Sequence, residues 1–150
     1  METWMSVEEI LDFAIGEEQN AVDFYTELAA KAAHGNMRRV FEDFAREEEG
    51  HKAKLLAVKQ GKTFKPSSEQ VLDLKISDYV ADVGTHEVET FEDALVVAMK
   101  KEKAAYKLYT RLADMVDAGD ARELFLTLAQ EEAKHKLRFE IEYDQGLREN

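Results

Sequence analysis

An internal repeat is the feature of this sequence that most constrains its fold. Residues 6–55 align with residues 90–139 at a constant offset of 84, and the alignment needs no gap. The identical pairs include Leu11 and Leu95, Ala14 and Ala98, Tyr25 and Tyr109, Phe41 and Phe125, and Ala45 and Ala129. A chain of 150 residues suits one domain or two small halves that share a core, so each half is predicted to be the same unit.

Each unit is predicted to be a helical hairpin. The sequence has 35% charged residues and one proline, which is typical of helical proteins. Ser6 with Glu9 forms a capping-box pattern, and Thr90 with Asp93 is a close variant of it. Apolar residues then recur at alternating three- and four-residue steps, as in the buried seam of a helix bundle.

The expected helix bounds follow from these caps and from the glycines. The first helix is predicted to start after Ser6 and to run to about Ala33, with Gly35 as a left-handed C-cap. The remaining helices are expected from near Asn36 to just before Gly61, from Thr90 to about Val116, and from a turn at Gly119–Asp120 to about Tyr143.

A long connection, residues 61–89, separates the two hairpins. Pro66 and the neighbouring serines break helix, although a short helix is predicted over Val71–Val83. Two hairpins that are joined by one long crossover give the ferritin-like four-helix topology. The predicted fold is therefore an all-α, ferritin-like four-helix bundle that occupies residues 1–150 as a single domain.

Polar residues interrupt the apolar seams at the same place in every helix. They are Glu18, Glu48, His51, Glu102, Glu132 and His135. No lysine or arginine occupies these seam positions at the same level, and each buried carboxylate costs several kcal/mol to desolvate. Two divalent cations would balance four carboxylates, and the i, i+3 spacing of each Glu-x-x-His pair directs both side chains to one side of a helix. This arrangement is the one found in di-iron and di-manganese carboxylate bundles.

The donor atoms favour some metals over others. Carboxylate oxygen and imidazole nitrogen suit iron or manganese better than soft metals. Zinc would bind, but it supplies no redox chemistry. The alternative to a metal site is a duplicated bundle with a polar network in its core, which requires every buried group to be satisfied. The other two histidines, His34 and His86, lack a preceding Glu at the right spacing and are predicted to lie on the surface.

The sequence resembles the rubrerythrin-like branch of the ferritin-like di-iron proteins. The resemblance covers all four predicted helices but not the crossover. Its motifs are Glu18-x-x-Ala21-x-x-x-Tyr25 and Phe41-x-x-x-Ala45-x-x-Glu48-x-x-His51, which recur as Glu102-x-x-Ala105-x-x-x-Tyr109 and Phe125-x-x-x-Ala129-x-x-Glu132-x-x-His135.

The resemblance implies a role for each ligand and a reaction. Glu18 and Glu102 would be terminal ligands of two iron ions, while Glu48 and Glu132 would bridge them and His51 and His135 would each cap one iron. The implied reaction is the reduction of hydrogen peroxide, or of oxygen, by the di-ferrous site. Tyr25 and Tyr109 lie two turns after a ligand glutamate, so each is either an ordinary core residue or a hydrogen-bond donor to a ligand carboxylate.

The sequence departs from typical rubrerythrins in two ways. It has no cysteine, so it lacks the rubredoxin domain, and electrons would come from a separate rubredoxin-like protein or flavoprotein. Typical rubrerythrins also carry a further glutamate one turn after the third-helix ligand, where this chain has Ala105. The resemblance therefore supports the di-iron site better than it supports peroxidase activity.

Three functions consequently remain open. The first is a di-iron peroxidase or oxidase, the second is an iron-binding or ferroxidase protein, and the third is a structural or sensor bundle whose metal is static. The net charge of −12 argues against nucleic acid and anionic membranes as partners. The absence of a signal-peptide pattern in METWMSVEEI and of a long apolar run predicts a cytoplasmic protein. The resemblance implies a homodimer or a larger homo-oligomer.

Overall fold

The computed structural model describes residues 4–32, 35–61, 72–73, 79–80 and 90–149. Within these ranges the chain forms four α-helices and one pair of two-residue strands, which confirms the predicted helical class. In chain order they are β1 (Trp4–Met5), α1 (Val7–Lys31), α2 (Gly35–Gly61), β2 (Leu72–Asp73), α3 (Phe91–Met115) and α4 (Asp120–Glu149). The chain divides into two compact units, unit 1 (residues 1–74) and unit 2 (residues 75–150). No helix in the described ranges has an apolar stretch of the length that a bilayer crossing needs.

The two predicted N-caps are both present. The Ser6 hydroxyl accepts a hydrogen bond from the backbone N–H of Glu9 at 3.1 Å, and the Glu9 carboxylate accepts one from the N–H of Ser6 at 3.2 Å. Thr90 and Asp93 repeat this arrangement at 3.0 and 3.2 Å. Each box satisfies two backbone donors that the first turn of a helix leaves open, which fixes where α1 and α3 begin.

Two of the expected boundaries are wrong. The C-cap of α1 is Ala32, in an extended conformation, and its N–H donates to the carbonyl of Ala29. Gly35, the predicted left-handed C-cap of α1, is instead the first residue of α2. The fourth helix continues beyond Tyr143 to Glu149, because no proline interrupts residues 143–149 and a single glycine, Gly146, is tolerated within a helix.

Unit 1 is a hairpin in which α1 packs against α2. Leu11, Ala14, Phe41 and Leu55 are buried between the two helices. The ring of Tyr25 is also fully buried. It stacks on Phe41 with ring centroids 6.4 Å apart and meets Phe44 edge-on at 6.0 Å.

Polar contacts and a strand pair also join parts of unit 1. Lys52 on α2 donates to the side chain of Gln19 on α1 at 2.6 Å, and Lys59 on α2 reaches Asp12 on α1 at 2.5 Å. The strands β1 and β2 pair in antiparallel register, with Trp4 opposite Asp73 and Met5 opposite Leu72. The start of unit 1 is thereby held to the chain that follows α2.

Unit 2 repeats the packing of unit 1 with α3 against α4. The repeat equivalents of the unit 1 core are again buried, namely Leu95, Ala98, Tyr109, Phe125 and Phe139. The turn between α3 and α4 contains Gly119, whose φ of 153° is disfavoured for residues with a side chain. The prediction of a turn at Gly119–Asp120 is confirmed.

The crossover is described only in part. Leu72 and Asp73 form β2, so the short helix that was predicted over Val71–Val83 is wrong at these residues. Pairing with β1 supplies backbone hydrogen-bond partners there that a helix would otherwise have supplied. Apart from residues 79–80, the rest of the predicted helix lies outside the described residues, as do His34 and His86.

Candidate metal centre

Unit 1 brings together three of the six candidate ligands, which we call trio 1: Glu18, Glu48 and His51. Helix α1 supplies Glu18, and α2 supplies the other two, which lie three residues apart and therefore on one side of the helix. Nδ1 of His51 lies 3.8 Å from Oε1 of Glu18 and 3.7 Å from Oε1 of Glu48. Their exposed fractions are only 2%, 1% and 2%, so all three side chains are enclosed by the protein.

Unit 2 contains the same arrangement, trio 2, formed by Glu102 on α3 with Glu132 and His135 on α4. Nδ1 of His135 lies 3.5 Å from Oε2 of Glu102. The exposed fractions are 1%, 1% and 4%. In each trio, one donor atom from every member lies within 4.8 Å of a donor atom from each of the others. Such spacing allows the three donors to reach a single metal ion.

The geometry of each trio fits a metal ion better than a hydrogen-bonded cluster. Separations of 3.5 to 3.8 Å lie at or beyond the limit of a hydrogen bond. They leave room for an ion that each donor would approach at about 2.0–2.2 Å. Two carboxylates and one imidazole are also the oxygen and nitrogen donors that divalent transition metals accept. The donor set of each trio therefore fits one divalent cation.

Lys31 and Arg138 make ion pairs with residues of their own helices. Lys31 pairs with Glu27 at 2.9 Å and Arg138 with Glu142 at 3.0 Å. Both pairs join residues four apart along one helix, a spacing that is usual for solvated ion pairs. Such exposed pairs contribute little charge compensation to carboxylates that are buried in the trios.

In each unit the structure brings together the three residues that the sequence indicated there. Among the described residues, the groups of histidine, aspartate and glutamate that are close enough to share a metal ion contain these six and no others. That these six residues bind metal stays a prediction. What the sequence could not supply was the separation of the donor atoms, because side-chain rotamers set that distance.

The two tyrosines that accompany the trios are both deeply buried. Tyr25 is 0% exposed and Tyr109 is 1% exposed. The contacts of Tyr25 with Phe24, Phe41 and Phe44 show that its ring is part of the apolar core of unit 1. A hydrogen bond from either hydroxyl to a ligand carboxylate stays a prediction.

Ala105 marks the position where typical rubrerythrins have an additional glutamate. It is half-buried on α3, one turn after Glu102, and its repeat equivalent Ala21 is half-buried on α1. Neither side chain offers a donor atom. The two trios therefore match in residue type at this position as well as at the ligands.

Comparison with solved structures identifies the fold. A hypothetical protein from Pyrococcus furiosus is similar, with a TM-score of 0.71 and 26% identity over 96% of this chain and 92% of that one. A protein from Thermotoga maritima that is assigned to the ferritin-like diiron-carboxylate proteins has a TM-score of 0.75. It is 19% identical, over 97% of this chain and 99% of that one. No curated protein sequence matches the chain significantly. The fold is accordingly the ferritin-like four-helix fold, with two hairpins joined by a long crossover.

Comparison with family models then identifies the group to which the protein belongs. The rubrerythrin family model matches residues 9–143, which include all four helix cores and both trios. The chain belongs to the rubrerythrin family. Buried glutamate and histidine clusters in a protein of this family indicate a di-metal carboxylate site.

Proposed function

We propose that the chain is a di-iron redox protein that reduces hydrogen peroxide with electrons from an external carrier. The observation that carries this proposal is the duplication of a buried Glu, Glu, His trio in a rubrerythrin-family chain. Trio 1 and trio 2 would together supply four carboxylates and two imidazoles to two metal ions. Two divalent ions would neutralise the four carboxylates, which explains why burial of these groups is tolerated.

Each residue type has a distinct task in this proposal. Glu18 and Glu102 would each hold one ion as terminal ligands, and Glu48 and Glu132 would bridge the two ions. His51 and His135 would each cap one ion through a ring nitrogen. The spacing of three residues between each bridging glutamate and its histidine fixes both on one helix turn, so neither needs to move to bind.

The chemistry requires two electrons and two protons for each peroxide. Two ferrous ions, when bound, would supply both electrons at once, so that hydrogen peroxide and two protons give two molecules of water. The protein side chains exclude bulk water from the trios, since every member is at most 4% exposed. Because the site is enclosed, it would admit small oxidants such as hydrogen peroxide and oxygen and would exclude larger substrates.

Iron is the metal that fits both the donors and the proposed reaction. Manganese accepts the same oxygen and nitrogen donors and is the alternative with redox activity. Zinc would occupy the trios without supporting electron transfer. The cysteine-free, acidic composition also supports a cytoplasmic location, and similarity to rubrerythrins supports a homodimer or a larger homo-oligomer.

A second candidate function is iron oxidation without peroxidase turnover. Ala105 favours it, because the additional carboxylate of typical rubrerythrins is absent from this chain. An additional carboxylate helps the metal to shift between oxidation states in the family. Without it, oxidation by oxygen followed by release or storage of ferric iron becomes the competing outcome. A third candidate function is a structural or sensor protein with a static metal, which would show no redox turnover.

Anaerobic reconstitution with ferrous iron tests the proposal. The metal content per chain is measured first, and the reduced protein is then mixed rapidly with hydrogen peroxide or with oxygen while the absorbance of ferric iron is followed. Two irons per chain and faster oxidation by peroxide than by oxygen support the peroxidase. Preferential oxidation by oxygen supports the ferroxidase, and bound iron that neither oxidant changes supports the static site.

A further inference from the structure

A groove on unit 2 lies between α3 and α4, on a surface that the proposed reaction does not use. Its volume is about 480 Å³. Its main lining residues are Lys103, Tyr106, Lys107, Ala133, Lys136 and Leu137. Tyr106 is 39% exposed and Leu137 is 55% exposed, so the groove presents an aromatic ring and a leucine to solvent. Lysines rim these apolar side chains.

The internal repeat shows that this groove is a specific feature of unit 2. The core and the trios are duplicated, but most of the groove residues are not. The unit 1 residues that align with Lys103, Tyr106, Lys107 and Leu137 are Gln19, Val22, Asp23 and Ala53. Unit 1 therefore has smaller and less basic side chains at the equivalent place. A helical hairpin of this type does not need the groove residues in order to fold.

Two of the groove lysines adjoin ligands of trio 2 in the sequence. Lys103 follows Glu102 in sequence, and Lys136 follows His135. Successive residues of a helix project about 100° apart. The groove lysines therefore lie on a different side of each helix from the ligands beside them. A carrier in the groove would contact the same helical turns that hold Glu102 and His135.

We propose that this groove is the docking site of a small acidic electron-carrier protein. This inference rests on the proposed redox function and names the surface through which electrons enter. Lys136 pairs with Glu140 within the lining, so Lys103 and Lys107 give the groove its positive charge, although the whole chain carries −12. A local positive patch would attract an acidic carrier that the rest of the surface repels.

The size of the groove also suits a transient redox partner. Electron-transfer complexes bury little surface, commonly less than about 1,200 Å², and rely on charge for association. A second copy of the chain that docked through the same face would place lysines opposite lysines about a two-fold axis, which is unfavourable. An acidic carrier is therefore favoured over self-association.

The electron balance requires two docking events for each turnover. Each reduced one-electron carrier gives up one electron and leaves oxidised. Two such encounters replace the two electrons that are consumed when one hydrogen peroxide and two protons become two waters. The oxidised carrier then dissociates, which is consistent with a small and salt-sensitive interface.

Binding of a redox-inert carrier tests the docking surface separately from turnover. The probes are a zinc-substituted, acidic rubredoxin and an oxidised flavodoxin, each titrated into isotopically labelled, metal-loaded protein at low and at moderate ionic strength. We expect salt-sensitive shifts of the Tyr106 and Leu137 resonances. The double variant Lys103→Glu/Lys107→Glu should weaken binding about tenfold at low salt. The variant Leu137→Ser should weaken it in a manner that depends less on salt.

Lys52→Glu is the matched control, because Lys52 aligns with Lys136 of the groove. It reverses one lysine in unit 1, half the charge change of the double variant, and should leave binding close to that of the original protein. The groove variants change exposed residues, so their metal content and helicity should also be unchanged. Equal weakening by Lys52→Glu and by the double variant would overturn the proposal, because attraction would then be non-specific.

Two further results would also overturn the proposal. The first is no binding of either probe at low salt. The second is a dimer that Lys103→Glu/Lys107→Glu converts to a monomer in sedimentation experiments, since a second copy would then cover the groove. Single-turnover oxidation of the reduced protein by peroxide needs no carrier, so failure of that reaction would count against the proposed function alone.

Discussion

Nδ1 of His51 lies 3.8 Å from Oε1 of Glu18, although the two residues belong to different helices of unit 1. His135 and Glu102 repeat this relationship in unit 2 at 3.5 Å. In both units the first helix supplies one carboxylate and the second helix approaches it with a histidine. Metal binding should therefore depend on the packing of each hairpin as well as on the identity of the ligands.

Neutralising one carboxylate in either trio should separate metal binding from stability. We expect Glu18→Gln and Glu102→Gln each to reduce the iron content, because an amide is a weaker donor than a carboxylate. The same variants should change the stability of the metal-free protein much less than they change its iron content, because an amide is close in size to the carboxylate that it replaces. Metal analysis and chemical denaturation measure the two effects.

Glu47→Gln provides the control for these variants, since Glu47 is exposed and adjoins a ligand in sequence. Its iron content and stability should stay close to those of the original protein. Unchanged iron content in both ligand variants would contradict the assignment of Glu18 and Glu102 as ligands.

Removal of metal should lower the thermal stability of the protein. An ion that binds only the folded chain stabilises it by about 4 kcal/mol when its concentration is 1,000 times the dissociation constant. We expect a higher melting temperature after loading with ferrous iron or manganese than after dialysis against a chelator. Calorimetry of a protein with Glu18→Gln and Glu102→Gln combined should show a much smaller difference, and an equal difference would place the stabilising ion elsewhere.

Ala105→Glu should shift the reactivity of the reduced protein toward peroxide. The substitution places a carboxylate where typical rubrerythrins carry one, and residues around a metal commonly alter activity by about tenfold or more. Stopped-flow absorbance should show a higher ratio of the peroxide rate to the oxygen rate. Ala105→Gln has the same size without the charge and should leave the ratio unchanged. If both variants changed the ratio equally, side-chain volume would be the cause.

Substitutions of Tyr25 should distinguish the contribution of its ring to stability from any contribution of its hydroxyl to metal binding. Tyr25→Ala removes a fully buried ring that contacts Phe41 and Phe44 and should cost about 3–5 kcal/mol of unfolding free energy. Tyr25→Phe keeps the ring and should cost less than about 1.5 kcal/mol. A loss of metal affinity in Tyr25→Phe with little loss of stability would show that the hydroxyl bonds to a ligand carboxylate.

The ion pair between Lys59 and Asp12 should make a small contribution that disappears at high pH. A hydrogen bond from Lys59 to the Asp12 carboxylate, together with the charges of Asp12 and Glu8, raises the pKa of Lys59 above 10.5, although partial burial opposes the rise. The contribution is therefore complete below the unfolded pKa of the lysine and is lost as pH rises through the raised value. An NMR titration should show a lower pKa for Lys59 in Asp12→Asn, and no change would contradict the pairing.

The sequence predicted the parts of the structure that periodic patterns and local rules determine. The capping boxes at Ser6 and Thr90 mark the starts of α1 and α3, since their hydrogen bonds join residues only three apart. The six candidate ligands were identified because polar residues at core positions stand out against an apolar seam, and because the repeat shows the same exception twice.

The features that the sequence did not predict depend on contacts between distant segments. β1 and β2 contain two residues each, too few for an alternating pattern, and they form because Trp4 pairs with Asp73. The prediction that Gly35 caps the end of α1 was wrong, because Gly35 begins α2. Glycine is most common just after a helix end, but it also occurs at helix starts, and the sequence alone does not distinguish the two positions. The groove on unit 2 was not predicted because its lining residues come from two helices, α3 and α4, which are adjacent only in the folded protein.

The burial of Glu18, Glu48, Glu102 and Glu132 has a consequence for the lifetime of the protein in a cell. A chain that has not acquired metal lacks the stabilisation that the ion would supply, and it unfolds more often than the loaded chain. A difference of about 1–2 kcal/mol is enough to change cellular abundance several-fold through proteolysis of the unfolded form. The cellular abundance of the protein would thus rise and fall with the supply of iron.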